Sequence, residues 1–121
     1  MTPADLSDRL LDFAVRVGKA VDALPNTRLG RHVGGQLIRC GTASGPNYEE
    51  ACAAESRADF VHKLLIALKE MRESRYWVRL ISKGSLLPEK RMLPLLDEST
   101  QLCNILAKSV VTTKSRITNR K

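Results

Sequence analysis

Residues 56–84 read SRADFVHKLLIALKEMRESRYWVRLISKG, and their periodicity decides the fold class. Ser56 and Asp59 make a capping-box-like start, a hydroxyl three residues ahead of a carboxylate. Phe60, Leu64, Ala67, Met71, Ser74, Val78 and Ile81 then recur in alternating steps of four and three, which stacks them on one helix face. Lys83 puts a cation in the last turn, and Gly84 supplies a residue free to take a positive φ at the helix end. Ile66, Trp77 and Leu80 form a second apolar strip off the main seam. A helix with two apolar faces meets more than one neighbour, so these three are candidates for an oligomer interface.

The same pattern extends to both sides. Thr2, Pro3 and Asp5 form a helix start, followed by the seam Leu6, Leu10, Phe13, Val17, Ala20 and Leu24. Pro25-Asn26 ends that helix, and Asn26 or Thr27 can cap the next. From about 28 to 54 the seam reads Val33, Leu37, Cys40, Ser44, Asn47 and Ala51, small or polar from its middle onward, with Gly34, Gly41 and Gly45 beside it. Each glycine costs about 1 kcal/mol of helix propensity, so close approach of another backbone has to offset it. Pro46 removes a helical hydrogen bond, and one helix bent near residues 42–46 is expected. Residues 85–88 form a turn. A last helix is expected over about 89–113, with Pro94 at its first turn and Met92, Leu95, Leu96, Leu102, Ile105, Leu106 and Val110 inward. Connections this short make consecutive helices antiparallel. The sequence therefore predicts an all-α, antiparallel up-down-up-down four-helix bundle over residues 1–113, with a basic, disordered tail at 114–121.

Composition agrees with this class. The 121 residues suit one domain, and 43% hydrophobic with only 4% aromatic residues means an aliphatic core, which favours helix packing over a sandwich. The net charge is +7, an excess that attracts polyanions. It is uneven: residues 1–24 sum to −1, 25–40 to +3, 41–84 to +1 and 85–121 to +4. Met1 to Asp5 lack the basic and apolar regions of a leader, and no apolar run approaches the roughly 18 residues of a membrane span. A cytoplasmic protein without a membrane partner is expected.

Little in the chain points to chemistry. The three cysteines, Cys40, Cys52 and Cys103, are far apart and read as thiols in a reducing compartment. His32 and His62 lack the Glu-x-x-His spacing of a carboxylate metal centre, and a Cys52–His62 nucleophile pair is conceivable only as neighbours in space. No phosphate-cradling glycine loop is present. The sequence thus reads as non-enzymatic, with no catalytic residue, metal or cofactor. Two polar features remain. Asn47 falls on the core-facing seam near Ser44 and Glu50, either bonded to backbone freed by Pro46 or contacting a ligand. Lys69, Arg72, Arg75, Arg79 and Lys83 form one stripe, with Glu70 and Glu73 on its flank, and Arg28, Arg31 and Arg39 form a second basic cluster. Both are solvated or salt-bridged faces, or nucleic-acid contacts.

The run Arg39-Cys40-Gly41-Thr42-Ala43-Ser44-Gly45-Pro46-Asn47-Tyr48-Glu49-Glu50-Ala51-Cys52, the block Ser56-Arg57-Ala58-Asp59-Phe60, and then Glu70, Glu73 and Tyr76-Trp77 together resemble the bacterial four-helix-bundle family of 23S rRNA intervening-sequence proteins. The resemblance spans about residues 5–113. Asn47, Glu50, Ser56 and Asp59 match its motif positions, whereas Ala43 stands where the family usually has Ser and Pro46 where it commonly has Ala, so a hydrogen bond is expected to be missing there. The resemblance implies a ring-shaped homopentamer. A distant relative, the accessory variability determinant of diversity-generating retroelements, is a basic pentamer that works with a reverse transcriptase and nucleic acid. Two functions follow as expectations: binding of RNA or DNA through the basic surfaces, or a scaffold for a partner protein.

Overall fold

Five helices fill residues 1–118, the part of the chain that the computed structural model describes: α1 (Pro3–Asp22), α2 (Arg28–Gly41), α3 (Ser44–Cys52), α4 (Arg57–Lys83) and α5 (Glu89–Thr118). No strand occurs among the described residues. The helix starts follow from local chemistry. Thr2 and Asp5 close a reciprocal capping box, 2.8 Å from the Thr2 amide to Asp5 Oδ2 and 3.1 Å from the Asp5 amide to Thr2 Oγ1; these bonds from Thr2 hold the Asp5 carboxyl below its ordinary pKa. Thr27, rather than Asn26, caps α2 by accepting from the Gly30 amide at 3.0 Å. Ser56 caps α4 through the Asp59 amide, also at 3.0 Å.

The predicted bent helix is two helices. Thr42 and Ala43 leave helical hydrogen bonding, and α2 and α3 form one interrupted arm. Ala43 is the N-cap of α3 and makes no side-chain cap bond. Pro46 therefore lies in the first turn of α3, where an amide N–H has no intrahelical acceptor to lose. The break is bridged from outside: Ser44, buried, donates its hydroxyl to the Ala67 carbonyl of α4 at 2.9 Å.

Three glycines of this arm, Gly34, Gly41 and Gly45, face α1. A Cβ on Gly34 would meet Val21 at 3.3 Å, and one on Gly41 would sit 2.8 Å from a Val17 methyl, closer than carbon atoms pack. Gly45 lies against Leu10. Backbone proximity here allows Leu10, Phe13 and Val17 to be almost fully buried, which offsets the propensity lost at each glycine.

The core contains most of the predicted seams, while Leu24, Asn47, Phe60, Leu96 and Ile105 are only half-buried. Leu6, Leu10, Phe13, Val17 and Ala20 of α1, Val33, Leu37 and Cys40 of α2, and Leu64, Ala67, Met71, Val78 and Ile81 of α4 are all buried. Helix α4 packs against α2, α3 and α5, and α1 against α2, α3 and α5. Its second apolar side is provided by Val61 and Leu68, fully inside, with Trp77 and Leu80 half-buried against the same core.

Three expectations at the ends of helices are corrected. The positive φ after α4 falls on Ser85 (φ 56°), not on Gly84, which takes φ −83°. Ser85 and Leu86 donate backwards to the carbonyls of Ser82 (3.2 Å) and Ile81 (3.0 Å), the paired closure of a Schellman motif, and that pairing decides which residue turns left-handed. Pro94 lies inside α5 and not at its start; the helix begins a turn earlier, where the Arg91 and Met92 amides reach the Pro88 carbonyl at 3.0 and 3.3 Å, and Met92 is locked in the core. Helix α5 also continues through Thr118, so 114–118 of the expected disordered tail are helical, with Ile117 half-buried against the core. Residues 119–121 of that tail lie outside the described residues.

A serine in left-handed conformation carries a strain of roughly 1–2 kcal/mol that glycine does not. Ser85→Gly is therefore expected to stabilise the fold by about 1 kcal/mol, read as a rise of a few degrees in melting temperature at fixed protein concentration. An unchanged or lower midpoint counts against this account of the α4 terminus.

Candidate nucleic-acid interface

Helix α4 is buried along its apolar seams, so its charged residues divide between the two sides left open. On the side toward α2, Glu70 accepts from Arg39 Nη1 at 3.2 Å, and Glu73 accepts from both Arg39 Nη2 and Trp77 Nε1, the latter at 3.1 Å. One guanidinium and one indole thus hold both carboxylates of this helix stretch.

On the side toward α5 stand Arg72, Arg75, Arg79 and Lys83, all exposed. None of them takes part in a salt bridge among the described residues, where the pairs are Arg9–Glu98, Arg39–Glu70, Arg39–Glu73 and Lys63–Glu50. The reason is visible along the helix: no Asp or Glu stands three or four residues from any of the four, the spacing at which side chains meet on a helix surface. Two of the three carboxylates of α5 are engaged elsewhere, and the third, Glu89, is exposed and takes part in no salt bridge among the described residues. Glu98 binds Arg9 of α1 at 2.6 Å, and Asp97 accepts from Gln101 at 2.8 Å. Arg72 and Arg75 lie close enough to Cys103 of α5 to favour its thiolate electrostatically, although burial of that thiol outweighs them and pushes its pKa up.

The second basic cluster is divided. Arg39 is bound to Glu70 and Glu73, Arg31 Nη1 turns back to Asn26 Oδ1 at 3.0 Å, and Arg28 is exposed. The polar motif residues lie inside the fold's own bonding. Asn47 Nδ2 donates to the Ala43 carbonyl at 2.8 Å, Glu50 pairs with Lys63 at 3.6 Å, and Ser56 and Asp59 form the start of α4. Of the interface candidates, Ile66, Trp77 and Leu80 are all half-buried. Cys52 is exposed at the end of α3, and no group of three metal-binding side chains occurs among the described residues. No described helix is long and apolar enough to cross a membrane.

One feature escaped the sequence. Tyr76, 56% exposed, stands within the cationic row and borders a groove of about 710 Å³ walled by Leu29 of α2, Leu80 of α4, and Leu93 and Leu96 of α5. Arg79 and Lys83 line the same groove. Leu29 and Leu93 are each 48% exposed. The signal was present as apolar residues off the seams, but only the packing of α2, α4 and α5 brings them to one place.

A model of the 23S rRNA-intervening sequence protein family matches residues 5–108. Among solved structures, a crystal structure of a protein of unknown function from the S23 ribosomal protein family of Bacteroides thetaiotaomicron is 34% identical, with a TM-score of 0.80 over 87% of this chain and 97% of that one. No curated protein matches the chain.

The cysteines report on this geometry. Burial pushes the Cys40 and Cys103 thiols up from their ordinary pKa, so mildly alkaline conditions leave them protonated and shielded. A thiol reagent applied to native protein is expected to add a single label, at Cys52, with Cys40 and Cys103 labelled only after denaturation. Mass spectrometry of the native adduct checks this, and rapid labelling of Cys103 would contradict the packing of α4 on α5.

Proposed function

We propose, for a chain that belongs to the 23S rRNA-intervening sequence protein family, a non-enzymatic, homo-oligomeric role in binding nucleic acid through phosphate contacts along α4. The observation that carries it is the segregation of charge on that helix. Glu70 and Glu73 are held by Arg39 and Trp77 on one side, while Arg72, Arg75, Arg79 and Lys83 stand exposed on the other, without a salt bridge among the described residues. Uncommitted guanidinium groups in a row match the repeating charge of a polyanion, and each phosphate contact gains by releasing condensed counterions.

The bundle that carries the row is read as antiparallel, up-down-up-down. Supporting this, the partners on α4 descend as the α2–α3 arm ascends: His32 with Trp77, Arg39 with Glu70, Ser44 with Ala67, and Glu50 with Lys63. Such an arrangement keeps α4 beside α5 along its length, so the cationic row borders one continuous seam.

A second reading, a scaffold for protein contact, is favoured by α1. Leu11 and Val15 are 62% and 50% exposed at i,i+4 spacing, with exposed Asp8 and Asp12 beside them. Apolar residues presented in this way are suited to a partner surface or to another copy of the chain.

Two measurements test these readings. Mobility shift or anisotropy with a structured RNA is expected to give micromolar-range binding with a log–log salt slope of roughly −3 to −4 for four phosphate contacts. Replacing Arg72, Arg75, Arg79 and Lys83 together by Gln is expected to remove most of that slope. Absence of binding at low salt, or binding indifferent to salt, ends the phosphate reading. Light scattering decides the role of α1: Leu11→Ser with Val15→Ser is expected to lower the mass in solution if these residues join subunits, and an unchanged mass reserves them for a different protein.

A further inference from the structure

We propose that the Tyr76 face and its groove receive unpaired bases, so that the polyanion bound by this chain is single-stranded nucleic acid; this rests on the phosphate-binding reading above and narrows its ligand. Arg72 and Arg79 lie four residues before Tyr76 and three after it, so the ring sits beside these cations on one helix face. From Arg72 to Lys83 the row extends roughly 16 Å along α4, a few nucleotides of an extended strand.

The ring is prepared for stacking. Tyr76 meets Trp77 at 5.1 Å between ring centroids and 84° between planes. A perpendicular contact covers at most one face of the ring, and 56% of Tyr76 remains exposed to solvent. Trp77 is itself fixed, packed against the core and bonded through Nε1 to Glu73. Tyr76 is therefore held by a rigid neighbour. Beside it, the apolar groove of Leu29, Leu80 and Leu93 opens with Arg79 and Lys83 among its lining residues.

This combination fits one class of polyanion. A duplex presents phosphates and groove edges and keeps its base faces stacked inside, so it has no use for an exposed ring or an apolar wall. A single strand presents both a charged backbone and bare base faces, and aromatic platforms within a cationic track are how such strands are held without sequence preference. The groove lining holds two cations, Arg79 and Lys83, against the single carboxylate of Glu89, and that excess of positive charge favours an anionic strand as its occupant.

The test compares fluorescein-labelled oligoadenylate, as RNA and as DNA, with a duplex of equal length, about 12 nucleotides each, by anisotropy at fixed low salt. Either single strand is expected to bind several-fold more tightly than the duplex. Tyr76→Leu is expected to weaken single-strand binding by about 5- to 150-fold per stacked base, with the salt slope and duplex binding unchanged, whereas Tyr76→Phe binds as the parent does. Leu93→Ser is expected to weaken the single strand alone, and circular dichroism checks that each variant remains helical. Equal binding by Tyr76→Leu and parent, or preference for the duplex, overturns the stacking proposal and leaves the phosphate reading standing. No binding of any probe removes both. A fall in solution mass on Tyr76→Leu also overturns it, because the groove is then a contact between copies.

Discussion

Everything in this bundle depends on α4 being packed on three neighbours at once. Its seam of Leu64, Ala67, Met71, Val78 and Ile81 is fully buried, and α2, α3 and α5 all lie against it. Burying five such side chains is worth several kcal/mol in transfer terms, far more than any exposed ion pair supplies. That packing leaves α4 only narrow polar margins. Carboxylates on the α2 margin meet Arg39, and cations on the α5 margin form no salt bridge among the described residues. The charge pattern is a consequence of which residues could not go inside.

The α2–α3 arm is shaped by a second constraint, close approach to α1. Gly34, Gly41 and Gly45 make room for Val21, Val17 and Leu10, and the arm stays buried on both sides of the break at Thr42-Ala43, through Leu37 and Cys40 before it and Ser44, Tyr48 and Ala51 after it. Ala43 and Pro46 compensate one another here. A hydroxyl at the cap position would accept from an amide two or three residues later, and Pro46, at the third position of α3, has no amide hydrogen to give. The missing cap therefore leaves no orphan donor at that position, and Asn47 takes up the Ala43 carbonyl instead.

How far the sequence could be read follows from the same physics. The seams of α1, α4 and α5 were legible because burial repeats every third or fourth residue, and that period survives in the residue types. Helix ends were less legible. Gly84 has the freedom to turn left-handed, but the closing bonds to Ile81 and Ser82 place that turn on Ser85. Pro94 is tolerated inside α5 because Met92 and Leu95 anchor the helix on either side of it. For the site, the cations of α4 were visible as a stripe, since i,i+3 and i,i+4 spacing is a local property. That Arg39 belongs to Glu70 and Glu73, and that Leu29, Tyr76 and Leu93 share a groove, are facts of tertiary placement that no local pattern encodes.

The cationic row also has a cost, and its size explains how the fold carries it. Arg72–Arg75, Arg75–Arg79 and Arg79–Lys83 are like-charge neighbours at helical spacing, each worth a few tenths of a kcal/mol of repulsion in an isolated helix. Exposure to solvent and salt keeps the total small. A helix that depended on its own side-chain pairs would be weakened by that total, but α4 is stabilised from its opposite face by burial. A bound polyanion reverses the sign of the term: charges that repel one another in water are drawn to one strip of phosphate. The core side and the cationic side of α4 are energetically distinct, so the charges of the row can vary without reference to the packing that holds the helix in place.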